Sequence, residues 1–278
     1  MSANSPGVNR RNFIKRGSLF VPAIFLPRIL RAQSVLTADG LAAFGKTAAA
    51  GGGGGGGCDS VNDSSLGGYW RLDESSGSRA DTKNSHNLTD SGSTGSAAAI
   101  VGNGASFSAA TGLTVADTAD LSLGTSGTAF SVAFWTKASS LSTTQVMVSK
   151  SGEYAIYFTN TTLNYVTAGG SGTNGSMTSP ITFATGTWYF IVVTGTTPAG
   201  DGSFTKAIIV NNGTPQTAAC SVKPVHTTDA FCVGCYQSSI NFKYSGLLDE
   251  VLFTKRVLTS GEITALYNSG AGCRPSGV

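Results

Sequence analysis

Two carboxylates stand side by side at Asp249 and Glu250, in a chain of 278 residues that holds only 15 acids. Paired carboxyls are the equipment of glycoside hydrolysis, which needs them converging on one bond from roughly 5–9 Å apart. The surrounding GLLDEVLFTK reads as a β-strand, and neighbouring strand residues point to opposite faces of a sheet. On that geometry the two acids cannot converge. Glu153 and Glu262 stand alone in the sequence. The expectation is a chain without catalysis, in which Asp249 and Glu250 serve the fold.

Other reactive side chains are few. The cysteines are Cys58, Cys220, Cys232, Cys235 and Cys273. Cys232-Val-Gly-Cys235 is a lone C-x-x-C without a second pair, and the chain has only two histidines, His86 and His226. That is a weak basis for a zinc or redox centre. Both histidines fall in expected loops with no serine or cysteine in a recognisable catalytic context, so solvent exposure is the expectation. Cys220 reaches Cys232 or Cys235 on a neighbouring strand, and an odd thiol remains or pairs between chains. Trp70, Trp135 and Trp188 each sit in an apolar run beside another aromatic, which favours core packing over ligand stacking. Loop tyrosines such as Tyr165, Tyr236 or Tyr244 are better placed for sugar contact, with nothing to choose among them.

The elements that must position these groups fall into distinct segments. Residues 1–32 carry NRRNFIKRG followed by a short apolar run. This resembles a bacterial twin-arginine export signal, with Arg10 and Arg11 as the pair, then Phe13 and Lys15. Pro22, Pro27 and Arg28 break the run, which is too short to span a bilayer. An exported bacterial protein is implied, periplasmic, secreted or surface-held, with disulfides permitted. Residues 33–65 form an Ala/Gly-rich linker whose seven consecutive glycines support no packed structure. Seven of the 18 basic residues precede Cys58, so the remainder holds 11 bases and 14 acids, a net charge of −3. A nucleic-acid partner is excluded, because phosphate binding requires a basic face.

From Leu66 onward the pattern is one of short strands. GYWRLDE, FSVAFWTK, QVMVSK, YAIYFT, TWYFIVVTG, KAIIVNNG and GLLDEVLFTK alternate with turn residues. Asn212-Gly213 marks a hairpin. One short helix is expected at the end, where Thr259 and Glu262 form a capping box and Asn268 or Gly270 stops it. Many short strands in about 200 residues predict an all-β fold of two packed antiparallel sheets.

These segments resemble the laminin-G-like, concanavalin A-like lectin/glucanase jelly rolls, in particular a bacterial LamG-like branch. The likeness runs through GYWRLDESSGSRADTKNSHN, FSVAFWTKASSL, GTWYFIVVTG, IIVNNG and GLLDEVLFTKRVLTSGEITALYNSG, from about Leu66 to Gly270. It implies a two-sheet jelly-roll sandwich over residues 66–273, with 274–278 as a tail. Glycosidases of this fold often carry Glu-x-Asp-x-x-Glu on one face, and no such run exists here. The resemblance also implies a structural calcium ion, with Asp81 and Asp249 as side-chain ligands and Asn84 a weaker one. It places the chain ends close together, which makes Cys58–Cys273 the preferred disulfide. The implied function is a non-catalytic binding module for glycans or for surface and extracellular proteins. The alternatives are a structural or adhesive surface component and, further off, a carbohydrate-active enzyme.

Overall fold

The computed structural model describes residues 57–123, 129–167, 175–196, 204–220, 224, 226–236 and 242–278. Arg10, Arg11, Phe13 and Lys15 lie outside the described residues, as does the glycine run up to residue 56.

Two antiparallel sheets face each other. One runs β13 (Gln216–Cys220), β12 (Phe204–Val210), β11 (Tyr189–Thr196), β6 (Phe130–Ala138), β15 (Ser245–Thr254), β4 (Asn103–Ser108), β3 (Gly95–Ala98), with β1 (Leu66–Trp70) also paired to β15. The other runs β10 (Ser176–Thr182), β9 (Thr162–Thr167), β8 (Tyr154–Thr159), β7 (Thr144–Lys150), β14 (Phe231–Val233), β5 (Leu113–Val115), β2 (Thr89–Asp90). This is the all-β jelly-roll sandwich that the strand pattern predicts.

Alternation along each strand builds the core. On β8, Tyr154, Ile156 and Phe158 point inward, while Ala155, Tyr157 and Thr159 point outward. On β6, Phe130, Val132 and Phe134 enter the layer between the sheets, whereas Ala133 and Trp135 face outward into a second apolar cluster. That outer cluster is covered by the helix α1 (Ser260–Tyr267), which contributes Ile263 and Leu266. A strand covered on both faces has no need of polar alternation, which explains the continuous apolar run of FSVAFW. Gly195 lies on β11 where a Cβ would collide with the rings of Phe204 and Phe130, so only glycine lets those rings close over the strand.

Local signals act as read. The Thr259 hydroxyl accepts the Glu262 N–H at 3.3 Å, and the Glu262 carboxylate accepts the Thr259 N–H at 2.8 Å. The helix ends at Asn268 in the left-handed region, φ 46°. The β12–β13 hairpin turns one residue earlier than Asn212-Gly213 suggests. Asn211 and Asn212 both adopt positive φ, and the Gly213 N–H closes the turn on the Val210 carbonyl.

The chain's flanks belong to the domain. Cys58 and Val61, in a 3-10 turn at Cys58–Val61, are buried in the outer cluster. Residues 274–278 are pinned by Arg274 to Asp73 and Glu250, and by Asn62 to the carbonyls of Ser276 and Gly277. The packed unit is therefore wider at both ends than 66–273. Cys58 is bonded to Cys273 across 215 residues of sequence. Cys232 pairs with Cys235, not with Cys220: Cys220 lies on β13 of the eight-stranded sheet, while Cys232 lies on β14 of the opposite sheet. Among the described residues, no helix is long and apolar enough to cross a membrane.

Closing so long a loop restricts the unfolded chain. Replacing Cys58 and Cys273 together by serine is expected to lower unfolding free energy by about 2–5 kcal/mol, measured by urea denaturation at constant pH.

Candidate functional site

Asp249 and Glu250 do not sit on opposite faces. Asp249 pairs with Trp135 and Leu252 with Ala133, so three steps along β15 are matched by two along β6. The extra residue is a bulge at Glu250, with φ 52°. It shifts the alternation and turns both acids toward the outer cluster beneath the chain ends. The register slip is a tertiary effect that strand period alone does not reveal.

Convergence on one face still does not make a catalytic pair. The Asp249 carboxylate accepts the N–H groups of Ile100 and Val101 at 3.1 and 3.0 Å. Glu250 accepts the Tyr69 hydroxyl and, at 2.6 Å, the Arg274 guanidinium. The space beside Glu250, between Tyr69, Trp135 and Leu266, amounts to about 10 Å³. That admits about one water and no sugar ring. Burial, reinforced by the Glu250 charge, raises the Asp249 carboxyl to about 7; the Val101 N–H and the Arg274 charge oppose the shift. Burial raises Glu250 as well.

The implied calcium set does not fit. Asp81 Oδ1 accepts the N–H groups of Tyr69 and Lys83, and Oδ2 those of Asn84 and His86, all at 3.0 Å. Four donors occupy the four lone-pair directions of one carboxylate. Asn84 turns its amide nitrogen to the carbonyls of Leu66 and Gly67. Asp81 and Asn84 thus organise the loop after β1, while Asp249 holds the turn at Ile100–Val101. Backbone donors saturate Asp81, whereas Asp249 accepts both N–H groups on Oδ2 and buries Oδ1 without a hydrogen-bond partner.

A second polar cluster emerges that sequence reasoning missed. Lys150, fully buried at the end of β7, places Nζ 2.8 Å from Asp117 and 3.1 Å from Glu153. The same ammonium donates to the carbonyls of Thr227 and Asp229 at 2.7 and 2.8 Å. His226 and Ser122 complete the group. Asp117, Glu153 and His226 lie within 4.8 Å of one another, a spacing compatible with a metal, but the lysine ammonium already supplies the positive charge there. Nor is it a nucleophile triad. The Ser122 hydroxyl donates to Glu153 at 2.9 Å, and Asp117 lies 3.8 Å from His226 Nε2, beyond hydrogen-bond distance, so Asp117 does not orient the imidazole toward the serine. The expected isolation of His226 and Glu153 is therefore corrected: both are partnered. His86 likewise meets Asp120 at 3.0 Å.

The aromatic candidates separate clearly. Trp70 is buried and stacked on Phe231, ring centroids 5.0 Å apart. Trp135 stacks on Tyr267 at 5.7 Å, and the half-buried Trp188 carries Lys137 over its ring. Tyr165 and Tyr244 are core residues rather than loop residues; Tyr244 shares a 2.7 Å hydrogen bond with Thr136, and Lys206 lies over the Tyr165 ring. Tyr236 alone of the three faces an open site.

That site is a groove of about 380 Å³ on the outer face of the seven-stranded sheet, across β7, β8 and β9. Its floor comes from directly opposed strand pairs: Thr144 with Thr159, Val146 with Tyr157, and Ala155 with Val166. One wall is Tyr236 and Phe242, set edge to face at 83° with centroids 6.3 Å apart. Phe242 is 41% exposed, the kind of uncovered aromatic surface that marks a binding region. The outward alternation of YAIYFT carried a signal for Tyr157, which the sequence reading did not use. A larger depression of about 500 Å³ over Lys137, Ser139 and Gly186 has no aromatic side chain among the described residues that line it.

A family model for the concanavalin A-like lectin/glucanases superfamily, of laminin-G type, matches residues 107–264. No curated protein sequence matches the chain. Among solved structures, domain 4 of an extracellular family 43 arabinanase from Geobacillus stearothermophilus, in complex with arabinotriose, superposes with TM-score 0.54 at 17% identity, covering 75% of this chain and 98% of that one. The binding domain of Paraclostridial mosquitocidal protein 1 gives 0.58 at 11%, covering 74% of this chain and 52% of that one. The botulinum neurotoxin serotype D ligand-binding domain, in complex with N-acetylneuraminic acid, gives 0.56 at 13%, covering 76% and 52%. This chain spans about half the length of the two toxin domains.

Two measurements check the buried charges. Asp249 unfolded titrates near 3.8 but near 7 in the fold, so between those values the folded state keeps a proton that the unfolded state has lost. Stability from this group is thus highest below about pH 4 and falls as pH rises toward 7. Asp249→Asn is expected to flatten that slope in urea titrations across the window. Lys150→Met strands two carboxylates and is expected to cost about 3–5 kcal/mol, read from the same denaturation curves.

Proposed function

From the premise that this chain belongs to the concanavalin A-like lectin/glucanases superfamily, we propose that it is a non-catalytic binding module whose ligand is a glycan, held in the groove over β7, β8 and β9. The observation that carries this reading is the exposed aromatic wall of Phe242 and Tyr236 beside Tyr157 on an otherwise flat strand surface. Aromatic faces offer large apolar area at little conformational cost, and the adjoining hydroxyls supply orientation. Two of the structural neighbours were solved with sugars bound, which supports a glycan reading for a shared architecture.

Absence of catalysis is part of the proposal. Among the described residues no carboxylate lines the groove, and the Asp249–Glu250 pair is engaged elsewhere, on the eight-stranded sheet. Two disulfides accord with an exported protein, as the arginine pair at Arg10 and Arg11 implies. A protein partner is the second reading. It is favoured by Ile181, 42% exposed on the sheet-edge strand β10.

Glycan-array screening followed by calorimetry tests the first reading. Phe242→Ala and Tyr157→Ala are each expected to weaken glycan binding by about tenfold, the scale of one lost aromatic contact, with an unchanged melting temperature. Silence of the wild-type protein across the array moves the assignment to protein contact or assembly.

A further inference from the structure

We infer that the groove selects uncharged glycans: neutral pentose or hexose chains, to the exclusion of sialylated, uronic or sulfated ones. The inference rests on the glycan reading above and narrows it. Among the described residues, the eight that line the groove are uncharged. Two lysines adjoining the lining residues in sequence are committed elsewhere. Lys243 follows Phe242 directly, but the residue is only 9% exposed and its Nζ donates to the Ala110 carbonyl at 2.9 Å. Lys150, on the β7 strand of the floor, is buried among the two carboxylates and two carbonyls already described.

A carboxylate or sulfate seated here would lose water against Tyr157, Val166 and Phe242 and gain no ion pair in return, an unfavourable exchange. Neutral sugars meet the opposite situation. Thr144, Thr159, Tyr157 and Tyr236 present hydroxyls, which both donate and accept and so suit sugar hydroxyls in either sense. The Tyr236 hydroxyl is held in place by the Ser151 hydroxyl at 3.3 Å.

The groove has the reach of an oligosaccharide. Ala155, Tyr157 and Thr159 are successive outward residues on β8, spaced about 7 Å apart, so the floor extends about 14 Å along the strand.

The test is calorimetric titration of the full chain with neutral polysaccharides (arabinan, xylan, glucan) and with acidic ones (polygalacturonate, a sialylated oligosaccharide, a sulfated glycan). It is run at about 0.1 M and about 1 M salt, over which the screening length falls from about 10 to 3 Å. The expected result is binding of at least one neutral polymer, at an affinity unchanged by salt and reduced by Phe242→Ala, with no binding of the acidic set. Preferential, salt-sensitive binding of an acidic glycan that Phe242→Ala also weakens would overturn the selectivity and leave the glycan reading standing. Glycan binding indifferent to Phe242→Ala overturns the assignment to this groove. No binding to either set overturns the glycan reading and the selectivity together.

Discussion

The bulge at Glu250 is the constraint on which the outer side of the eight-stranded sheet depends. One extra residue in β15 brings two buried acids to the same face, and each then fastens a different piece of chain. Asp249 holds the Ile100–Val101 turn through two N–H groups. Glu250 joins the Tyr69 hydroxyl of β1 to Arg274 near the C-terminus, and Arg274 reaches on to Asp73. Without the bulge one of these carboxylates would enter the inner core, where Leu248, Val251 and Phe253 pack against the facing sheet. The desolvation of an ion there would have no answering partner.

Charge is managed the same way throughout the sandwich. Asp81 is met by four N–H groups and Lys150 by four oxygens. These knots gather at loop junctions and at the flanks of the sheets. The open surface over β7, β8 and β9 is left to hydroxyls, aliphatics and aromatic rings. The Asp249–Glu250 pair is thereby held in architecture, and among the described residues the groove is lined by uncharged side chains.

What was legible in the sequence was what is local. The capping box at Thr259 and Glu262, the apolar run of β6 and the closing strand of β15 follow from side chains a few positions apart, and the fold contains all three. Features created by distant contacts were not legible. The slip in β15 depends on how β6 is aligned, and the Cys232–Cys235 pairing depends on Cys220 lying in the other sheet. Asp81 looked like a metal ligand because an acid in a polar loop has the same sequence appearance whether it meets a cation or four amides. Tyr165 and Tyr244 looked like loop residues, yet their hydroxyl-bearing rings belong to the core. The groove needed both levels. Alternation in YAIYFT exposes Tyr157, but only the fold brings Phe242 and Tyr236 beside it.

The Cys58–Cys273 bond also has a mechanical meaning. Both flanks of the domain meet at one covalent point, with the two sheets enclosed between them. Tension applied to the chain before Cys58 and after Cys273 passes through sulfur and does not peel β1 from β15 one hydrogen bond at a time. A module tethered at one end and loaded through its neighbours would then stay folded under pull for as long as that bond stays oxidised. Reduction would hand the load to the β1–β15 ladder.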